Sequence, residues 1–375
     1  MQINFFGDFV APETDTLVLS PQVHNLLEQG DINVVHFESV AILPTDYHPI
    51  VKSGPNIFQD EKAPSFLEGQ GFSVVSMANN HAMDYGKDAL VSTISAFQKS
   101  AVCGAGEWAK AYEPCIIKLG GKTIGFIAAS HCEFGTLTEN GGDVGEVGYA
   151  WINNPYIDTL VERTRKEVDF LFVFAHAGVE HLSQPLPEWR DRYRSFIDLG
   201  CDGVIASHPH IVQGWEIYKG KPILYSLGNF YFPKQGQISS HWHRSICASI
   251  KISEDGDISF QITPLHFRQG SIEVDTSNDF QQYLAQTNNI LNNPERYMTF
   301  MNKSSVDALE IFYAMFLNGG MARCYSIKKI IRIIWHYIRN NNTPRHNSAW
   351  FYNAFRCESH RWFFERGMRL KNNYV

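Results

Sequence analysis

Short apolar runs that stop at glycine or at a polar side chain recur along the first part of the chain, and longer stretches with apolar residues three and four apart lie between them. Ile3–Phe6, Asn33–Glu38, Phe72–Val75, Phe170–Ala175 and Gly203–Ala206 have the length and composition of buried strands. Ser20–Gly30, Asp60–Gln70, Lys87–Gln98, Pro155–Val168 and Pro187–Leu199 carry the helical spacing, several with a glycine stop or a proline start. Strand and helix alternate, which requires crossover connections and predicts a largely parallel sheet. Three hairpins interrupt this rhythm. Glu113–Leu119 and Lys122–Ala129 flank Gly120-Gly121, Ile211–Tyr218 and Pro222–Leu227 flank Lys219-Gly220-Lys221, and Ile246–Ile252 and Ile258–Thr263 meet at Glu254-Asp255-Gly256-Asp257. The pattern predicts an α/β domain with parallel and antiparallel parts, covered by helices.

The glycine-rich stretch from Glu133 to Tyr149 reads as a long mobile loop, of the kind that serves as a substrate lid. Beyond about Ser271 the strand signals stop, and Phe280–Leu291, Val306–Phe316 and Ile327–Ile338 read as helices. Two units follow: residues 1–270 as the α/β domain and 271–375 as a mainly helical extension.

Charge sharpens that division. The whole chain carries −7, but Met321–Val375 holds eleven Lys/Arg against two acids, a net +9, which leaves −16 for the preceding 320 residues. An acidic body suits cations, and no nucleic acid partner is expected. Within the extension, Ile327–Trp335 sets apolar positions at helical spacing against a basic face. Such a helix either packs on the body or attaches to an anionic membrane surface or anionic polymer. The seven cysteines are scattered without a CxxC, which points to ordinary thiols in a reducing compartment. The start, Met1–Asp8, is already strand and turn, with no basic-then-apolar leader and no apolar run near eighteen residues anywhere. The expected location is cytoplasmic, with peripheral contact to the inner face of the membrane through the basic C-terminal region.

The candidate chemistry sits where the strands end. Gly7-Asp8, His36-Phe37-Glu38, Asn79-Asn80-His81, His176-Ala177-Gly178-Val179-Glu180-His181 and Ser207-His208-Pro209-His210 each close an apolar run. Open α/β sheets place ligand sites at such ends. A pair of divalent metals needs anionic, amide or imidazole ligands converging from several elements, plus a group that protonates a leaving oxygen. Asp8, Glu38, Asn80, His176, His208 and His210 supply the first, and His81 the second. A turn after the strand can aim His208 and His210 together at one cavity. Each residue also has a plain structural explanation: a turn aspartate, a helix-capping asparagine, a satisfied core histidine. No Gly-x-Ser-x-Gly elbow or P-loop pattern occurs.

Together with Asp84-Tyr85-Gly86, His176-x-Gly178-x-Glu180 and Tyr225-Ser226-Leu227-Gly228-Asn229-Phe230, these motifs resemble, in order and spacing, those of the bacterial CapA family of capsule and poly-gamma-glutamate synthesis proteins, related to the calcineurin-like metallophosphoesterases. The resemblance covers roughly residues 3 to 265. It implies a four-layer α/β/β/α sandwich with one or two divalent metals (Mn, Zn or Fe) held by Asp8, Glu38, Asn80, His176, His208 and His210, and His81 as catalytic histidine. Asn79, Glu180, His181 and Asn229 are the expected substrate contacts. One departure stands out: the wider superfamily has histidine two residues after its first aspartate, where this chain has Val10. That implies either a weak or empty second metal or a replacement ligand such as Glu180 or His181. The implied function is metal-dependent hydrolysis of an anionic polymer or phosphate-linked precursor; the other reading is an accessory subunit that binds polymer or capsule-synthesis proteins through the same cleft.

Overall fold

The computed structural model describes residues 1–138, 146–234, 241–268, 270–317 and 344–372. The helix expected at Ile327–Ile338, with its apolar and basic segment, and the middle of the glycine-rich stretch lie outside the described residues. In order, the chain forms β1 (Gln2–Phe9), β2 (Val18–Leu19), α1 (Pro21–Glu28), β3 (Ile32–Phe37), β4 (Val40–Ala41), β5 (Phe58–Gln59), α2 (Ala63–Gly69), β6 (Val74–Ser76) and α3 (Gly86–Ala96). It continues through β7 (Ala101–Cys103), β8 (Ala105–Glu107), α4 (Trp108–Ala111), β9 (Cys115–Leu119), β10 (Lys122–Ser130), β11 (Thr136–Leu137) and β12 (Val147–Ala150). Next come α5 (Pro155–Arg165), β13 (Phe170–His176), α6 (Pro187–Asp198), β14 (Gly203–Ser207), β15 (Trp215–Tyr218), β16 (Lys221–Leu224) and β17 (Asn229–Tyr231). β18 (Arg244–Ile252), β19 (Ile258–Arg268), β20 (Ser271–Val274), α7 (Asn278–Leu291), α8 (Pro294–Leu317), α9 (Pro344–Arg356) and α10 (Glu358–Asn372) complete it.

Two sheets stack face to face. The first runs β2-β20-β19-β18-β1-β3-β6-β7, with β17 also on β1, and the second β15-β16-β14-β13-β10-β9. β1, β3, β6 and β7 are mutually parallel, as are β10, β13, β14 and β16. The three expected hairpins form as β9/β10, β15/β16 and β18/β19. β20 lies beyond the last strand legible in the sequence, so the first sheet reaches into the segment expected to be mainly helical. It is four residues long and half-buried, too short for its alternation to register. The glycine-rich stretch is also less irregular than expected: its flanks, β11 and β12, pair in parallel.

Between the sheets Phe5 packs on Phe126, Phe172 and Phe174, with ring centroids 6.1, 5.7 and 5.8 Å away. The far face of the second sheet, Ile127, Leu171, Val173 and Ala175, packs under α5 and α6 in a second core that also takes in Tyr297, Met301 and Phe363 of the C-terminal helices. α1 and α2 cover the first sheet: Asn4 donates to the Leu26 carbonyl at 2.8 Å, and Phe9 stacks on Phe66. This is the four-layer arrangement that the resemblance implies. Among the described residues no helix is long and apolar enough to cross a membrane, and the described cysteines are free.

One irregularity aims the site. Phe5 faces the second sheet, so strict alternation would turn Asp8 away from it. β1 pairs Phe6 with Val35 but Asp8 with His36, a register shift centred on Gly7. The bulge resets alternation and returns Asp8 to the face of Phe5. Only glycine fits there, because a Cβ on Gly7 would lie 1.8 Å from the Gly228 carbonyl oxygen.

Candidate metal centre

Strand register brings the functional residues to one line. Asp8 pairs with His36, His36 with Ser76, Ser130 with His176, and His176 with Ser207. The residues just beyond these ends, Glu38, Asn80, His208 and His210, therefore converge on one cleft between the sheets. His208 and His210 have φ of +100° and +59°. Left-handed backbone is uncommon for non-glycine residues, and here it turns both imidazoles inward.

The ligand atoms are spaced for a shared ion. His176 Nε2 lies 3.0 Å from Asn80 Oδ1, 3.1 Å from His208 Nδ1 and 3.8 Å from Glu38 Oε1. Ligands at 2.0–2.1 Å from a tetrahedral ion are separated by about 3.3 Å. On the other side His210 Nε2 lies 3.7 Å from Glu38 Oε1, and its Nδ1 is 3.4 Å from Asp8 Oδ2. Asp8 and Glu38 are fully buried, yet Asp8 Oδ1 and both Glu38 carboxylate oxygens have no hydrogen-bond partner. Uncompensated buried carboxylates are costly, and a cation removes that cost. The donor set and the orphaned oxygens thus fit divalent metal.

Protonation follows the same logic. Burial, with neighbouring imidazoles, pushes His176 and His208 well below the usual histidine range, so both are neutral and able to ligate. Burial opposes ionisation of Asp8, but His176 and His210 hold its carboxyl below the ordinary range. Burial raises Glu38 well above its ordinary value, against the pull of His210. It also works against a charged His210, which Glu38 and Asp8 nonetheless hold up to about 10. The metal-free Glu38–His210 pair therefore keeps at least one proton at neutral pH, and a metal must displace it. Uptake should strengthen as pH rises from 6 to 8, by about tenfold per pH unit for each proton released. Calorimetry of metal binding in buffers of different ionisation enthalpy would show the released proton; a pH-independent affinity would contradict this account.

Beside the ligands, His81 Nδ1 lies 2.7 Å from Asp84 Oδ2. Asp84 also pairs with Lys52, whose Nζ is 3.0 Å from the same His81 nitrogen. All three are buried. Asp84 thus holds the His81 ring.

The amide of Asn79 is engaged inside the protein: its Oδ1 accepts from the Ser39 and His81 N–H groups, and its Nδ2 donates to the Phe37 and Met77 carbonyls. It ties the loop after β3 to the loop after β6. Asn229 is likewise spent inside the protein, with Oδ1 2.9 Å from His210 Nδ1 and Nδ2 donating to the Trp242 carbonyl. Glu180 and His181 are exposed and outside the buried ligand groups among the described residues. Their exposure leaves them available to a substrate.

Two further residues, given no role by their sequence context, belong to the site. His36 is fully buried, stacks on His176 at 4.2 Å, and groups with Asp8 and His176 at metal-ligand spacing. Both of its nitrogens lack hydrogen-bond partners. Burial lowers it to about 4, so it is neutral. Its signal was present, because alternation puts residues 36 and 38 on one face. Lys52 gave no signal: one lysine in a Pro/Gly-rich loop reads as solvated.

Residues 11–234 match the model of the family described as bacterial capsule synthesis protein PGA_cap. The chain is 29% identical over 259 residues to the PGA biosynthesis protein CapA of Bacillus subtilis, covering 66% of this chain and 65% of that one. It is 29% identical over 269 residues to the capsule biosynthesis protein CapA of Bacillus anthracis, covering 67% of this chain and 62% of that one. The chain thus spans somewhat less than two thirds of the length of these relatives. Among solved structures, a putative 5'-nucleotidase from Staphylococcus aureus in complex with alpha-ketoglutarate aligns with a TM-score of 0.47 at 13% identity, covering 76% of this chain and 58% of that one.

Proposed function

Because the chain belongs to the bacterial capsule synthesis protein family PGA_cap, matched over residues 11–234, we propose that it serves synthesis of a poly-gamma-glutamate-type capsule or exopolymer as a metal-dependent hydrolase. Its substrate would be the anionic polymer or a phosphate-linked precursor. The observation that carries this reading is the convergence of Asp8, Glu38, Asn80, His176, His208 and His210 around buried carboxylate oxygens that have no protein partner. These residues would hold one or two divalent ions. Such ions supply Lewis acidity toward the scissile group and lower the pKa of water.

The chain's own groups supply the proton. Asp84 engages His81 through Nδ1 and leaves Nε2 to deliver a proton to the departing oxygen. Lys52 balances the Asp84 charge in a buried setting. Glu180 and His181 stand exposed at the rim, where they would meet the substrate.

The test is cleavage by the purified, metal-loaded protein of phosphomonoester, phosphodiester and gamma-glutamyl substrates, with and without chelator. Chelator-sensitive cleavage of any one supports the reading. A fully loaded protein that cleaves none would establish the accessory role, which Val10 favours by leaving the first motif one ligand short.

A further inference from the structure

Two segments that the cleft chemistry does not use mirror each other in composition: Ser130-His131-Cys132-Glu133 and Cys357-Glu358-Ser359-His360. The fold brings them together, 220 positions apart or more, where α9 meets α10 and β10 ends. His131 and Cys357 are fully buried and Glu133 nearly so. One ligand atom from each lies within 4.8 Å of the other two. His131 Nε2 is buried without a hydrogen bond and sits 3.3 Å from Glu133 Oε1. Its Nδ1 is 3.1 Å from Ser359 Oγ and 3.8 Å from Cys357 Sγ.

We propose that His131, Glu133 and Cys357 form a second kind of metal site, for a zinc-like ion, which clamps the C-terminal helices to the body beside the cleft. A thiolate, an imidazole and a carboxylate are the donors that zinc takes, with water or a further group as fourth ligand. The surroundings support this. Ser359 backs the ring at Nδ1, the outer-shell contact that fixes ligating histidines, and Asn353 donates to the other Glu133 oxygen at 3.1 Å. Glu358 accepts from the Cys132 N–H at 2.8 Å and so positions the neighbouring thiol segment. The His131 ring lies 4.3 Å from that of His208, so the clamp would couple the seating of the C-terminal helices to the cleft. Because metal binding free energy becomes folding free energy, the extension would dock firmly only when the ion is present.

The proposal does not depend on hydrolysis, and one property separates its site from the cleft: the cleft ligands are oxygen and nitrogen only, whereas this site has a thiolate. Full-length protein loaded with cobalt(II) should show a thiolate-to-cobalt charge-transfer band in the near ultraviolet. The band should survive in His208→Ala and vanish in Cys357→Ser, with about one equivalent of cobalt lost. His131→Gln, with folding checked by circular dichroism, should also lose the band while keeping the thiol. A cobalt-loaded wild type without the band, or a band that survives in Cys357→Ser, would overturn the proposal.

Discussion

His208→Ala should lose metal affinity by more than the roughly 10–100-fold that removal of a supporting outer-shell residue costs. His208 Nδ1 is one of three ligand atoms grouped around His176 Nε2, and the nearby Glu38 carboxylate has no protein partner to take over. Loss of the imidazole leaves Asn80, His176 and Glu38 to share an ion with fewer donors. The effect has a stability readout. A ligand that binds only the native state stabilises it by about 2.7 kcal/mol when present at 100 times its Kd. Chelator should therefore lower the melting temperature of the wild type by more than that of the variant, which has only the His131–Glu133–Cys357 site left to lose. Equal chelator sensitivity in both proteins, with equal bound metal by elemental analysis, would remove His208 from the ligand set.

His81→Ala should behave in the opposite way, keeping its metal and losing turnover. His81 is not among the grouped ligand atoms; its Nδ1 faces Asp84 and Lys52. General acid catalysis contributes roughly 10²–10⁴-fold. With the best substrate from the cleavage assay, kcat should fall by about that factor, and least for substrates whose leaving group needs no proton. Asp84→Asn should lower kcat in the same direction, because an amide cannot hold the ring as an anionic acceptor does. A His81→Ala enzyme with unchanged kcat would end the proton-donor assignment.

The two variants separate holding an ion from using it. If His208→Ala loses metal while wild type shows no turnover at all, the cleft is a metal-dependent binding site, and a partner supplies the chemistry of polymer synthesis.

How far the site was legible varies by residue. Asp8, Glu38, Asn80, His176, His208 and His210 each follow an apolar run, and strand ends in an α/β sheet point to a common edge. Asn79 and Asn229 carry the same signal as the grouped ligand residues. Only their partners, backbone groups in one case and His210 with Trp242 in the other, show that their amides are already spent. Lys52 reaches Asp84 from a loop 32 positions away, a contact that no local spacing encodes.

By itself the sequence determined the alternation of buried strands and helices, the three hairpins, the family motifs in their order and the polar residues at the strand ends. Those properties are local: they follow from periodicity, turn residues and the chemistry of neighbouring side chains. Tertiary structure alone decided which strand ends meet, that a bulge at Gly7 turns Asp8 inward, and that His36 joins the cleft while Glu180 and His181 stay at its rim. It also decided that Cys357 meets His131 and Glu133. Each of these depends on register and on packing between distant segments, where a shift of one residue reverses the face a side chain presents.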